Sequence, residues 1–298
     1  MPVIKHEQTT KKIAKLIADG YGQGEKENYK PFIDTIRVSS SGRVSRVKGW
    51  ITNRVHHFLS DSETRLFYLY EFFGSRRIGG LNSRTLDIKE HYPLIDGLDK
   101  IIPNLDGDLI KRLTNQKSGE PIILTTTFFI SLQTDDGDIC HFARSVKDHR
   151  QLENKQVIER YQIMQEYWNS KNIDYGIVTN KEIPLVVAKN VEFIHPFYNL
   201  EEYGIEDEMQ SFLKERLVDM IGNGEGKQLN EILNSLDIEY KLDQGTAITI
   251  YKHMLARKIV GVDMNKSISF KQPCHTVKIL SKGKVDSYDT YYKHANQV

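Results

Sequence analysis

The sequence predicts an α/β fold around a mixed sheet, followed by a smaller helical unit. Three observations carry this. Residues 122–132 and 139–147 are two β-rich runs joined by the turn Thr134-Asp135-Asp136-Gly137-Asp138. Val157, Tyr161, Met164 and Trp168 then mark one face of a helix, and residues 174–179 follow as a buried strand. From about residue 183 the strand signals give way to helical ones.

Composition narrows the class further. The chain has 298 residues, 39% of them hydrophobic and 10% aromatic, which suits two domains or one large one. No apolar run reaches the length of a membrane span, and the first residues lack the apolar core of a secretory signal. Cys140 and Cys274 stand far apart and suggest no disulfide framework. A cytoplasmic location without membrane contact is the expectation. A net charge of +1 predicts no bulk attraction to nucleic acid, so any such contact must come from local charge.

Taken in order, residues 8–19 read as a helix capped by Thr9 or Thr10, with Ile13, Leu16 and Ile17 as its stripe. Gly20-Tyr21-Gly22-Gln23-Gly24 ends it. The spacing is not that of a dinucleotide fingerprint, and the loop reads as a connector or as a DNA-facing segment. Residues 37–57 carry Arg37, Arg43, Arg46, Lys48 and Arg54 and no acid, with a turn at 39–42. Such a segment reads as a solvated basic hairpin or as one that follows a phosphate backbone.

Arg54 to Glu63 begins as a short strand and ends as a helix start. His56, His57 and Glu63 gather there, where a phosphate and a metal could both sit. Ser60 and Glu63 form a capping-box signature, and Leu66, Tyr70 and Phe73 continue the helix. Glu63 therefore has two readings, helix cap and metal ligand. Residues 76–84 read as a basic glycine loop, 85–88 as a short strand, and 96–120 as irregular around a helix near 108–113. Asp87 and Glu90 read as a solvated strand end or as outer carboxylates.

Beyond 183 a linking helix and strand end at His195-Pro196. An acidic cluster at 201–208 precedes helices near 206–220, 227–235 and 243–257, a hairpin at 259–270 and a basic tail at 274–298. Three helices and a hairpin make a winged-helix pattern. Cys140-His141 and Cys274-His275 lack zinc spacing, and no Walker motif is present, so ATP hydrolysis would belong to a partner.

Several stretches recur in the order of one known family: Gly20 to Gly24, Ser40-Ser41-Gly42-Arg43, Arg54 to Glu63, Leu86-Asp87-Ile88-Lys89-Glu90, Tyr92-Pro93-Leu94, Ser145-Val146-Lys147, Tyr167-Trp168 and Thr179-Asn180-Lys181-Glu182-Ile183. Across residues 10–195 the chain resembles the TnsA endonucleases of Tn-seven-like cut-and-paste transposons. The resemblance implies a restriction-endonuclease-like catalytic domain, residues 1–195, and a winged-helix-like partner-binding domain with a basic tail, residues 196–298. It implies nicking of transposon 5′ ends in double-stranded DNA, beside a DDE transposase (TnsB-like) and an AAA+ ATPase regulator (TnsC-like), with nucleoid association when DNA is bound. Glu63 takes the helix-carboxylate role toward Mg²⁺ (or Mn²⁺), Lys147 the strand-lysine role, and the Val146 carbonyl a further ligand position.

One departure stands out. Thr127, in Thr125-Thr126-Thr127-Phe128, occupies the place of the family's metal-binding aspartate, and Ser145 that of a Glu or Gln. Asp135, Asp136 and Asp138 lie at the hairpin tip, too far along to substitute. The expected set is thus Glu63, Thr127 and Lys147 for chemistry, Glu63, Thr127 and Val146 for metal, and Arg37, Arg43, Arg46, Lys48, Arg54, His56 and His57 for DNA. A cleavage-deficient subunit bridging transposase and ATPase, or a restriction or repair nuclease, are the other readings.

Overall fold

A computed structural model describes residues 9–37, 42–78, 81–101, 105–115 and 118–280. The expected turn at 39–42 and the end of the basic tail fall largely outside them. The chain divides into two compact units between Ile183 and Pro184, rather than at 195/196 as the sequence suggests.

The first unit opens with α1 (Thr10–Ala18), whose cap is Thr9: its hydroxyl accepts from the Lys12 N–H at 3.3 Å. Thr10 is occupied elsewhere, donating its hydroxyl to Glu120 at 2.7 Å. The glycine loop that follows is a packed connector. Gly22 has φ +78° and lies so close to the Pro93 ring that a Cβ would stand 2.4 Å from its Cγ. Next come the hairpin of β1 (Ser45–Lys48) and β2 (Val55–Phe58), and then α2 (Asp61–Phe73).

A five-stranded sheet forms the centre, in the order β3-β4-β5-β6-β7. Its strands are β3 (Ser75–Ile78), β4 (Leu81–Pro93), β5 (Thr125–Thr134), β6 (Ile139–Lys147) and β7 (Asp174–Thr179). All neighbours are antiparallel except β6 and β7, which are parallel and joined through α5 (Lys155–Ser170). Short helices α3 (Leu98–Ile101) and α4 (Gly107–Ile110) lie between β4 and β5. The expected loop at 76–84 is instead the β3–β4 hairpin, and the short strand at 85–88 is part of a thirteen-residue strand. The long ladder to β5 outweighs the weak β propensity of Asp87, Lys89 and Glu90.

Helices cover both faces of the sheet. Phe128 packs against Phe58 and against Tyr70 of α2, while its neighbour Phe129 stacks on Trp168 of α5. Strict alternation would put Thr126 on the Phe128 side. It does not hold: the Trp168 indole donates to the Thr126 hydroxyl at 2.8 Å on the α5 side. β4 makes the same switch. Glu90 bonds to the β2 residues Arg54 and His56, whereas Tyr92 stacks against Phe129. Glu90 is paired with Phe128 and Tyr92 with Thr126, so both strands change face at one level, at His91 and Thr127. His91 absorbs the change with φ +49°, rare outside glycine.

The second unit comprises α6 (Leu185–Ile194), α7 (Asp207–Gly222), α8 (Leu229–Glu239), α9 (Thr246–Ala256) and the strand pair β8 (Val260–Gly261) and β9 (Lys278–Ile279). Leu213, Leu217, Leu236 and Ile250 are fully buried at its centre. Helices α7, α8 and α9 stand where the sequence predicts three helices, with two corrections to the elements around them. No strand follows α6, which runs into a 3₁₀ turn at His195–Phe197. The hairpin at 259–270 is absent, because β8 pairs with β9. The buried Asn190 amide instead donates to the carbonyls of Met264 and Lys266, each at 2.8 Å, and accepts from the Ile268 N–H. Those bonds satisfy backbone groups that a strand partner would have taken.

The face switch yields a stability test. Thr126→Val keeps shape but leaves the buried indole N–H without an acceptor, so it should cost about 1–3 kcal/mol in urea unfolding. Unchanged stability would show that the backbone alone holds the switch.

Candidate active site

The site grows from the corner between β2 and α2. Ser60 is extended, and its hydroxyl accepts from the Glu63 N–H at 3.3 Å. A full capping box would return the Glu63 carboxylate to the Ser60 N–H. Here it accepts from Leu59 N–H instead, at 2.7 Å through Oε2. Glu63 therefore clamps the strand end, while Oε1 makes no hydrogen bond among the described residues. Both sequence readings of Glu63, as cap and as available carboxylate, draw on this one side chain, which is 9% exposed.

What holds the corner is Glu90, at 0% exposure. Its carboxylate accepts from both terminal nitrogens of Arg54, from His56 Nδ1 at 2.8 Å and from the His57 N–H at 3.1 Å. Burial alone would raise the Glu90 pKa. The charge of His56, the Arg54 and His56 hydrogen bonds and the Arg54 charge outweigh it and hold the group well below the usual carboxylate range. Next in the chain, His91 donates Nε2–H to the His57 carbonyl at 3.0 Å and stands 3.9 Å from Glu63 Oε2. Glu90 and His91 thus hold both backbone groups of His57.

The β1–β2 turn is fixed from the other side. Glu71 of α2 accepts from the N–H groups of Trp50 and Ile51, at 2.5 and 3.0 Å. The His56 ring also pairs with the Thr52 hydroxyl at 2.7 Å. Gly49 leaves room for that contact: a Cβ there would meet both His56 Nε2 and Thr52 Oγ1 at 2.8 Å.

Around Thr127 the ladder between β5 and β6 runs out at Phe128 and Arg144. Beyond it the Thr127 hydroxyl accepts the Val146 N–H at 2.9 Å. A strand residue directs its N–H and C=O to the same neighbour, so the Val146 carbonyl looks toward the same gap. Lys147, half-buried at the end of β6, forms no ion pair or hydrogen bond among the described residues. Ser145 turns into the core, where it receives the Tyr175 hydroxyl at 2.9 Å and lies against Met164. Tyr161 of α5 joins that core, and its pKa is raised by burial first, then by Tyr175 and the Glu63 charge. Glu63 is thus within electrostatic reach of α5.

These donors do not fit Mg²⁺ as they stand. They are one carboxylate, one neutral hydroxyl already receiving a hydrogen bond, and one carbonyl, whereas a hard cation that dehydrates reluctantly calls for charged oxygens. No cluster of three His, Cys, Asp or Glu able to hold a metal occurs among the described residues.

The basic segment separates into two sets. Arg54, 7% exposed, and His56, 0% exposed, are groups of the Glu90 network, not surface cations; both leave the expected DNA-binding set. Acids from outside the segment also meet Arg37 (Asp34, 2.7 Å) and Arg43 (Asp61, 2.7 Å). Arg43 stays 61% exposed in its side chain, and such surface pairs hold little energy. Arg46 and Lys48 alternate outward on β1. Arg46 donates to the Thr35 hydroxyl, which pairs with His57 Nδ1 at 2.8 Å. Burial, ahead of the opposing charges around it, lowers the His57 pKa, so the ring is neutral near pH 7.

Sequence reasoning does not find Glu71 or His91, and Glu90, expected as a solvated strand end or an outer carboxylate, is instead fully buried. Asp87 is likewise buried, at 4% exposure, and accepts from the Lys26 N–H. Their partners lie 20 to 61 residues away, so no local pattern announces them.

Comparison with known proteins follows the same line. Residues 82–180 match the family model described as TnsA-like endonuclease N terminal, and residues 182–264 the one described as TnsA endonuclease C terminal. The chain is 29% identical over 255 residues to the transposon Tn7 transposition protein TnsA of Escherichia coli, covering 86% of each. Among the described residues no helix is long and apolar enough to cross a membrane.

The Glu90 network sets a pH dependence. A carboxylate with a depressed folded pKa contributes stability that is present above its unfolded value, about 4.3, and lost as pH falls below it. Glu90→Gln should cost about 3–5 kcal/mol at pH 7, since it leaves Arg54 buried with a neutral partner. Thermal melts between pH 3 and 7 should also show a flatter acid limb in the variant. Parallel acid limbs would show that other carboxylates set acid stability.

Proposed function

The chain belongs to the TnsA endonuclease family, and on that premise we propose that it acts on the ends of a Tn7-like transposon, as an end-binding subunit whose own 5′ nicking is weak. Its α/β core is that of the restriction-endonuclease-like class. The duplex lies along the β1–β2 hairpin, with Arg46 and Lys48 as outward cations and Arg37 and Arg43 beside them. Backbone contacts of this kind hold DNA without reading sequence. Glu63 and Lys147 flank the reacting phosphate, where the Lys147 ammonium offsets charge on a non-bridging oxygen. A DDE transposase acts at the 3′ ends, an AAA+ ATPase regulator joins the assembly, and the second unit is the docking part.

The observation that carries the proposal is Thr127. Its hydroxyl accepts the Val146 N–H at the place where the family resemblance calls for an aspartate. That bond keeps β5 and β6 joined, so the fold tolerates the substitution. The hydroxyl supplies no negative charge, and no step of cleavage is assigned to a metal held by the present donors. An aspartate could keep the Val146 bond with one oxygen and offer the second to a cation beside Glu63. Removing a carboxylate from a phosphate site does not repel DNA, so end binding persists.

The test is a nicking assay on transposon-end DNA with the cognate transposase and Mg²⁺ or Mn²⁺. Thr127→Asp should raise 5′ nicking by about 10²–10³-fold, the scale of restoring one preorganised stabilising group. Glu63→Gln in that background should remove the gain. Robust nicking by the present sequence, unchanged at Thr127→Asp, would contradict the proposal.

A further inference from the structure

A cavity of about 320 Å³ opens on the first unit, away from the β1–β2 hairpin in sequence and unused by the site above. Lys111, Arg112, Thr114, Asn115, Gln156 and Arg160 line it, and its described lining contains no acid. The first four come from the 3₁₀ turn after α4 and the residues behind it. Gln156 and Arg160 stand four apart on α5, on one face of the helix.

The donors are arranged for an anion. Arg112 gives Nε–H to Glu159 at 2.5 Å, and its terminal nitrogens make no further hydrogen bond among the described residues. Its side chain is 25% exposed, so the guanidinium is anchored at one nitrogen and accessible at the rest. The Gln156 backbone N–H is taken by the Asn154 cap at 2.9 Å, while its side-chain amide has no partner among the described residues. The Arg160 proton affinity is lowered by burial and then by the Arg112 charge, so the two guanidiniums are close enough to repel. Glu159 meets Arg112 and Asp108 meets Lys111 from outside the lining, and an anion within the pocket would further offset the repulsion between the two guanidiniums. Guanidinium forks with neutral amide and hydroxyl donors are the usual equipment for a phosphate.

We propose that this pocket seats a phosphate of the DNA strand that passes the Glu63 corner. The location favours a strand over a free anion. Arg160 adjoins Tyr161, which lies within reach of the Glu63 charge, and Ile122 of the lining stands just ahead of β5 and Thr127. Ile122 and Thr127 are five residues apart, at most about 18 Å of chain, so a strand with its reacting phosphate at Glu63 and Thr127 carries further phosphates within reach of the pocket. The assignment rests on the reading of the chain as a DNA-end subunit.

Gln156 provides the cleanest test, because it lies in the first turn of α5, where a carboxylate suits the helix and the fold is spared. With the full chain and a fluorescent transposon-end duplex, Gln156→Glu should weaken binding about tenfold near 0.1 M salt, and Gln156→Lys should not weaken it. Arg112→Gln should flatten the slope of log affinity against log salt by about 1. Circular dichroism melts check that each variant is folded. Wild-type affinity and slope in both Gln156→Glu and Arg112→Gln would overturn the pocket while leaving end binding intact. A parallel calorimetric titration with inorganic phosphate separates the sources. If Gln156→Glu abolishes phosphate binding but leaves duplex binding unchanged, the pocket serves a free anion and the DNA assignment falls. Failure of the parent reading looks different: the wild-type chain would show no salt-dependent affinity for the duplex, and the DNA assignment would fall with it.

Discussion

The buried Glu90 carboxylate is the constraint on which the site depends. A charge at 0% exposure is tolerable only when its oxygens are fully engaged, and Glu90 engages Arg54, His56 and the His57 backbone at once. Arg54 immediately precedes β2, and His56 and His57 lie within it. Satisfying one carboxylate therefore seats the whole strand against β4. His91 then holds the His57 carbonyl, and Glu63 the Leu59 N–H two residues on. Glu63 owes its position to an acid from another strand rather than to its helix alone.

The same level of the sheet carries the second constraint. β4 and β5 change face together at His91 and Thr127, so the strand positions that face each other there are irregular on both sides. Irregular strand geometry is often found where a side chain must be aimed out of the regular pleat. At Thr127 it directs a hydroxyl at the Val146 N–H, which would otherwise be left without a ladder partner. A threonine meets that structural requirement fully.

Local features were legible in the sequence. The α5 stripe, the Thr134–Asp138 turn and the Ser60 cap each follow from a short pattern, and each is present. The basic run at 37–57 was misleading for a physical reason: lack of acids along the chain says nothing of acids across space. Asp34, Asp61 and Glu90 meet three of its five cations, and only the fold shows that Arg46 and Lys48 face outward. Ile78 pairs with Leu81, and the Gly79-Gly80 dipeptide between them in the sequence is a two-residue hairpin signal. The hairpin expected at 259–270 could not have been ruled out locally, because Asn190 holds that segment from 74 to 78 residues away.

The central claim is that Glu90 positions the Glu63 corner, and amide hydrogen exchange tests it residue by residue. In the wild-type chain the His57 and Leu59 amides, held by Glu90 and Glu63, should exchange only through global unfolding of the first unit. In Glu90→Gln, measured where the variant remains folded, protection should fall at His57 and also at Leu59, whose N–H Glu90 does not touch. Loss confined to His57, with Leu59 still exchanging only through global unfolding, would contradict the account.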